Sequence, residues 1–390
     1  MHEYCNFASY TTFVSLSPQY CFMSAPEKLK IRPISHWLKP KGRGLIISGP
    51  CSAESGRQVM ETALGLAATG VVDVMRAGVW KPRTRPHSFE GKGEEALRWL
   101  CDARDATGLP LAVEVASPQH IEMCLKYDIN IVWLGARTTA NPFSVQEIAD
   151  ALYGTGMPVL IKNPVNPDLK LWIGAIERIH QSGIDCIIAV HRGFNTFDNS
   201  VFRNNPLWEI PIELKRQMPG LPLLCDPSHI AGTRRLLLQI SQHAIDLDFD
   251  GLMIESHCRP LEALTDSSQQ MTPDALLYLV NSLVMRRPGC IKGQPIQQLE
   301  LYRRHIDEID RNILHFLSKR MEIVKNIGEL KKDNNITILQ IRRWTNIYKD
   351  RMKRGQELGL DPEFLRNLLE LVHQQSIELQ QKIFTQDNDL

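Results

Sequence analysis

The stretch VVDVMRAGVWKPRT, residues 71–84, decides how the chain is read. It begins as a short apolar, β-branched run and breaks into charge: Arg76, Lys81 and Arg83 fall within eight residues, with Pro82 fixing the turn. Three cations around a strand end make a poor core and a good cradle for phosphate and carboxylate oxygens. Seven more runs share the pattern: LIISGPC (45–51), LAVEVAS (111–117), IVWLGAR (131–137), PVLIKNP (158–164), CIIAVHRGF (186–194), PLLCDPSH (222–229) and GLMIESH (251–257). Between them lie segments such as SGRQVMETALGLAATG and GEEALRWLCDARDATG, with apolar residues at helical spacing and a closing Gly. Near-continuous apolar strands alternating with helices predict a parallel sheet. Eight units over this length predict an α/β fold, a (β/α)8 TIM barrel. An open doubly wound sheet is the alternative, but no GxGxxG turn follows the first strand.

Active sites of such barrels sit at the C-terminal strand ends. Those ends carry Cys51, Arg76 with Lys81 and Arg83, Glu114, Arg137, Lys162, His191 with Arg192, Asp226 with His229, and Glu255 with His257. One such residue alone reads as a solvated loop side chain, but all eight ends are charged or coordinating. Two sets separate. Arg76, Lys81, Arg83, Arg137, Lys162 and Arg192 imply polyanionic substrates. Cys51, His229, Glu255 and Asp266 offer a thiolate, an imidazole and two carboxylates, which suit a divalent transition metal. Spacing leaves a second reading open, with Cys51 a buried structural thiol and His229 a turn residue.

Bulk properties narrow the class. The chain's 390 residues predict two domains, and 43% apolar with 23% charged residues predict a soluble globular protein. A formal net charge of +1 implies no nucleic-acid partner and no membrane surface, and no apolar run has membrane-spanning length. Nine dispersed cysteines without CxxC pairs read as reduced thiols in the cytoplasm. Residues 1–30 read as a disordered tail; the first 22 lack the features of a signal peptide, and Met23 is an alternative start.

The motifs GPCSAES (49–55), RAGVWKPRT (76–84), GAR (135–137), IKNP (161–164), HRGF (191–194), DPSHIAG (226–232), IESH (254–257) and ALTD (263–266) resemble the type I 3-deoxy-D-arabino-heptulosonate 7-phosphate (DAHP) synthases, β subgroup, over about 31–286. The resemblance implies condensation of phosphoenolpyruvate with erythrose 4-phosphate, with release of phosphate. It makes Cys51, His229, Glu255 and Asp266 ligands of one divalent metal, Mn first, with Fe, Co and Zn as alternatives. It assigns Arg76, Lys81, Arg137, Lys162 and Arg192 to phosphoenolpyruvate, and the KPRT run (Lys81, Pro82, Arg83, Thr84) to the sugar phosphate. Asp226 is expected in the same substrate site. Glu114 stands where the family has a carboxylate near the attacking water, and Lys81 is the candidate proton donor. A sister enzyme that uses arabinose 5-phosphate carries a KANRS-type loop, so KPRT favours the shorter sugar. A metal-dependent aldolase acting on other phosphosugars is the distant alternative.

RRPGCIKGQPIQ (286–297) breaks the pattern, with the linker expected at 287–297 and an all-α domain over 298–390. Three helices are expected at 298–333, 338–355 and 362–385, the last opened by Asp361 as N-cap and Pro362 at the first position. Ile306, Ile309, Ile313, Phe316, Ile323 and Ile327 lie on an apolar stripe that three long helices bury poorly, so a partner is expected. Arg320 and Lys331, eleven residues apart, point within about 20° of each other, whereas Arg303 points roughly 100° away. The segment resembles the all-helical chorismate mutases over about 296–388, with Arg303, Arg320, Lys331, Arg343, Ser376 and Gln380 at that family's ligand positions. The resemblance implies rearrangement of chorismate to prephenate, with Arg320, Lys331 and Gln380 central and one arginine supplied by the partner of a homodimer. Gln340 and Trp344 stand where acidic residues are common in the family. That departure sustains an alternative: a regulatory module that binds chorismate or prephenate and inhibits the barrel.

Overall fold

The computed structural model describes residues 29–41, 44–81, 89–196, 201–286 and 294–385. The expected tail and the turn Pro82–Arg83–Thr84 lie outside the described residues. The chain divides into two compact units, Met1–Pro288 and Gly289–Leu390.

In the first unit β1 (Leu45–Gly49), β2 (Val74–Ala77), β3 (Leu111–Val115), β4 (Ile131–Leu134), β5 (Val159–Lys162), β6 (Ile187–His191), β7 (Leu223–Cys225) and β8 (Gly251–Glu255) form a closed barrel in sequence order. Every pairing is parallel, and β1 closes on β8 over five residue pairs from Leu45–Gly251 to Gly49–Glu255. The open-sheet alternative is thereby excluded. Helices α1 (Gly56–Thr69), α2 (Glu94–Thr107), α3 (Pro118–Lys126), α4 (Ala136–Thr139), α5 (Pro142–Leu152), α6 (Leu169–Gln181), α7 (Glu209–Gln217), α8 (Pro227–Ala231), α9 (Leu237–Asp246) and α10 (Pro273–Ser282) follow the strands. Side-chain caps fix several starts: Ser55 accepts from Gln58 N, Asp168 from Leu171 N and Thr272 from Ala275 N.

Two apolar cores result. One lies between strands and helices; the other fills the barrel with Leu45, Ile47, Val74, Ala112, Ile131, Trp133, Leu160, Ile188, Val190, Leu224 and Met253. Strand side chains alternate with period two, so the interior row is legible in sequence. Continued by two residues, Val74 leads to Arg76, Ala112 to Glu114, Leu160 to Lys162, Val190 to Arg192, Leu224 to Asp226 and Met253 to Glu255. The site is the polar end of the interior core. His191 has the opposite parity. It is buried among Trp172, Phe194, Trp208 and Phe249 and does not line the mouth, a correction to the expectation that every strand-end residue converges there.

The second unit is three helices: α11 (Gln294–Asp333), α12 (Ile341–Glu357) and α13 (Pro362–Thr385). The first starts earlier than the expected 298, inside the expected linker, because Pro295 falls in its first turn, where the missing N–H has no helical partner to lose. The second starts at Ile341 rather than 338: Ile336 N turns back to Lys331 O and the chain runs through 334–340 without helix. Asp361 Oδ1 caps Phe364 N at 2.8 Å, as read from sequence. Among the described residues no helix is long and apolar enough to cross a membrane.

Barrel closure depends on close backbone approach at Gly251, where an added Cβ would stand 2.0 Å from Leu45 O. Gly251→Ala is expected to lower stability by about 3 kcal/mol through a forced shift of β1 against β8, read as a fall in the urea midpoint at unchanged slope.

Candidate functional site

At the barrel mouth a cleft of about 360 Å³ is lined by Cys51, Arg76, Lys81, Glu114, Arg137, Lys162, Arg192, His229 and Asp266 among others. Nine of the residues expected from sequence therefore meet there, and Asp226 and Glu255, both fully buried, join them by direct contact.

One side is a charge-balanced wall. Asp226 caps the short α8, accepting from His229 N at 3.1 Å, and its Oδ2 stands 2.7 Å from Lys162 Nζ and 2.8 Å from His229 Nδ1. Burial alone would raise its pKa; His229 and Lys162 outweigh that and hold it well below the usual carboxylate range. Arg76 Nη1 lies 3.3 Å from Glu255 Oε1, and its guanidinium sits over the ring of Trp133 at 4.8 Å, with Lys162 Nζ 5.8 Å from the same ring. A buried indole face thus underlies two buried cations. Gly135 leaves the room Glu114 occupies: a Cβ there would lie 2.2 Å from Glu114 Oε1.

Three further arginines, Arg137, Arg192 and Arg203, line the same cleft. Arg192 is fixed by Asn163 Oδ1, which accepts its backbone N–H at 2.7 Å, and by Asn204 Oδ1, which accepts from Nη1 at 2.7 Å. Burial lowers its pKa to about 10; Asp226 opposes that, and the neighbouring Arg203 and Arg137 add to it. Such a group gains most from a bound anion.

Beside these charges Cys51, Glu255 and Asp266 present ligand atoms all within 4.8 Å of one another. Cys51 Sγ lies 3.3 Å from Asp266 Oδ2 and 3.3 Å from Lys81 Nζ, and His229 Nε2 lies 3.8 Å from Glu255 Oε1. Burial, then the Glu255 carboxylate, push the Cys51 thiol up to about 12, with Lys81 and Arg76 opposing. Glu255 Oε1 is buried and accepts no hydrogen bond among the described residues. A thiol and two carboxylates gathered so closely suit a transition-metal centre; His229, the fourth ligand expected from sequence, stands beside this cluster through Glu255 but is not one of the three grouped residues.

Sequence reasoning missed Arg203, Asn163, Asn204, Gln269 and Gln270. Arg203 donates to Asp266 Oδ1 at 2.9 Å, and Gln270 Oε1 accepts from Cys51 N at 2.9 Å. They lie in loops, where no periodicity marks them; only proximity to ALTD (263–266) and HRGF (191–194) points their way.

The helical unit has its own cavity of about 570 Å³, lined by Arg320, Lys331, Arg343, Ser376 and Gln380 together with Gln340 and Trp344. Arg320 and Lys331 share it, as their helical phase requires. Arg320 Nη1 donates to Ser376 Oγ at 2.7 Å, and Lys331 Nζ to Ile338 O at 2.6 Å. Gln380 Oε1 is buried without a hydrogen bond among the described residues. Trp344 stacks on His373 at 3.7 Å and 6°. Arg303 does not line this cavity and pairs with Glu300 at 2.5 Å. Arg351, unremarked in the sequence, does line it; residues 343, 344, 347 and 351 are one face of α12, a spacing visible in the letters, and Gln340 precedes its first turn.

Residues 32–283 match the family described as "DAHP synthetase I family", and residues 302–381 match "Chorismate mutase type II". The chain is 34% identical over 238 residues to a phospho-2-dehydro-3-deoxyheptonate aldolase of Thermotoga maritima, covering 61% of this chain and 68% of that protein. The crystal structure of a DAHP synthase from the same organism superposes with a TM-score of 0.56 at 33% identity, covering 61% of this chain and 67% of that one. The helical part is 33% identical over 92 residues to a bifunctional chorismate mutase/prephenate dehydratase of Buchnera aphidicola, 23% of this chain and 24% of that protein.

Asp226→Asn removes the anion facing buried Lys162 and is expected to lower stability by about 3–5 kcal/mol in urea melts. Because the folded pKa of Asp226 is depressed, its contribution is full above the unfolded value of about 3.9 and is lost as pH falls through the folded value. The variant's stability should therefore fall less steeply on acidification than the wild type's.

Proposed function

The chain belongs to the DAHP synthetase I family, and from that premise we propose how its residues divide the work. The barrel is a DAHP synthase domain and the helical unit a chorismate mutase domain. The substrates we assign are phosphoenolpyruvate and erythrose 4-phosphate for the first and chorismate for the second. The observation that carries the barrel assignment is the pairing of an excess-cation wall with a thiol–carboxylate–imidazole cluster in one cleft.

In this reading Arg76, Lys81, Arg137, Lys162 and Arg192 hold the phosphate and carboxylate of phosphoenolpyruvate, while Arg83 and Thr84 meet the sugar phosphate. Asp226 acts by holding Lys162 and His229 in place. Carbon 3 of phosphoenolpyruvate attacks the aldehyde carbon, whose oxygen gains the proton that Lys81 is positioned to donate. Positive charge at the enol carbon is met by water, near Glu114, and phosphate then departs. Cys51, His229, Glu255 and Asp266 would hold a divalent cation, Mn foremost, whose contribution is Lewis-acid polarisation of the aldehyde oxygen. Fixed charges and orientation supply the remainder.

In the helical unit Arg320 and Arg343 are proposed to hold the two carboxylates of chorismate, and Lys331 and Gln380 to stabilise the ether oxygen as its bond breaks. The unpartnered Gln380 Oε1 supports the last role only if its carboxamide is turned on binding, so that Nε2 donates to the ether oxygen. Exposed Ile306, Ile309, Ile313 and Phe316 on α11 support a homodimer through this unit, with Arg303 serving the second copy's cavity. We further propose that prephenate, bound in the same cavity, restrains the barrel, and that the enzyme works in the cytoplasm.

Cys51→Ala or chelator treatment is expected to reduce heptulosonate phosphate formation on the order of 10²–10³-fold, measured as phosphate release that needs both substrates; unchanged turnover in either case defeats the metal assignment. Arg320→Ala should reduce chorismate turnover on the order of 10²-fold, leave uninhibited synthase turnover intact and abolish any effect of prephenate. Retained mutase activity in that variant would refute the helical assignment, and an intact synthase unaffected by prephenate would refute the feedback reading.

A further inference from the structure

Each carboxylate of the thiol–carboxylate cluster has one oxygen held by a hydrogen bond from outside the cluster and the other among the cluster's own groups and Arg76. Glu255 Oε2 accepts from Gln269 Nε2 at 2.7 Å, whereas its Oε1 lies 3.3 Å from Arg76 Nη1 and 3.8 Å from His229 Nε2. Asp266 Oδ1 accepts from Arg203 Nη1 at 2.9 Å, whereas its Oδ2 faces Cys51 Sγ at 3.3 Å. The two ties are one device, because Arg203 Nη1 also donates to Gln269 Oε1 at 2.7 Å.

Gln269 is fully buried and does not line the cleft, so it meets no substrate. Its amide stands between a carboxylate, which only accepts, and a guanidinium, which only donates. That environment fixes the amide's orientation, with Nε2 toward Glu255 and Oε1 toward Arg203. No other side chain of this length fits: a glutamate would set two carboxylates against each other, a lysine has no acceptor for Arg203, and a methionine makes neither bond. Gln269 N also donates to Asp266 O at 3.2 Å, closing a short turn around the Asp266 ligand.

We propose that Gln269 is the positioning residue that makes Glu255 a one-oxygen ligand and, by orienting Arg203, steadies the same state of Asp266, and that it thereby holds the centre to about four protein donors. This rests on the metal reading above. With Cys51 Sγ, His229 Nε2, Glu255 Oε1 and Asp266 Oδ2 as the donors, mid-size transition ions are satisfied. Calcium, which takes six to eight oxygens and readily chelates both oxygens of a carboxylate, is not. Releasing Glu255 Oε2 lets that carboxylate turn to chelate through both oxygens.

The test uses the full chain, stripped with chelator and titrated with Co²⁺. Three quantities are read: the thiolate-to-cobalt absorption band, the dissociation constant by chelator competition, and the infrared splitting of the carboxylate stretches on metal addition. Wild type is expected to show the band and the wide splitting of one-oxygen carboxylates, with Ca²⁺ failing to displace Co²⁺. Gln269→Leu and Gln269→Met should keep the band at saturation but bind Co²⁺ about 10–100-fold more weakly and show the narrower splitting of a chelating carboxylate. Wild-type affinity and splitting in either folded variant overturns the proposal. So does narrow splitting in the wild type itself, whatever the variants do. Absence of the cobalt–thiolate band in wild type would instead strike the metal reading, so the two failures are distinct.

Discussion

The two-residue alternation of a closed parallel barrel is the constraint on which the site depends. Side chains at Val74, Ala112, Leu160, Val190, Leu224 and Met253 fill the interior. Each strand then has one more inward position before the chain leaves for its helix. A polar group placed there is buried yet next to the open mouth, which is why Arg76 is almost wholly enclosed but lines the cleft, and why Asp226 and Glu255, fully buried, contact the lining residues Lys162 and Arg76. The barrel thus places the charged groups by register, with no dedicated framework.

Burying so many charges is tolerable only because they neutralise one another in a set order. Asp226 meets Lys162 and His229; Glu255 meets Arg76 and Gln269; Asp266 meets Arg203. Trp133 carries Arg76 and Lys162 on its face, where an aliphatic residue would offer only desolvation. The lining of the cleft nonetheless stays rich in cations, with Arg76, Lys81, Arg137, Lys162, Arg192 and Arg203 against Glu114 and Asp266. That balance is complementary to anionic ligands.

Much of this is legible in the letters because strand ends are local in sequence. The eight apolar runs and the charged residue closing each point to the barrel and to nine of the cleft's lining residues. The parity of the interior row also separates Arg192 from His191, a distinction that reading strand ends as a single class overlooks. Loop contributions are not legible. Arg203, Asn204 and Gln269 act through contacts with residues 12 to 66 positions away, and no periodicity links such partners. The start of α11 differs from expectation for another reason, since Pro295 reads as a breaker although the first turn of a helix accepts it.

The helical unit uses the same logic with less shelter. Its cations Arg320, Lys331, Arg343 and Arg351 line a cavity that the stacked Trp344 and His373 also line. Burial, with Arg351 beside it, lowers the pKa of Arg320, so this cavity too is short of anionic charge. Where the barrel encloses its charges within a complete core, α11 leaves Ile306, Ile309, Ile313 and Phe316 about half exposed or more, on the stretch that also carries Arg303. An apolar stripe and a cation that misses its own chain's cavity lie on the same helix; in the homodimer proposed above, covering the stripe would supply the burial that three helices lack and would bring Arg303 to a cavity not its own. Stability and the completion of the site would then be one event, whereas in the barrel they are already one structure.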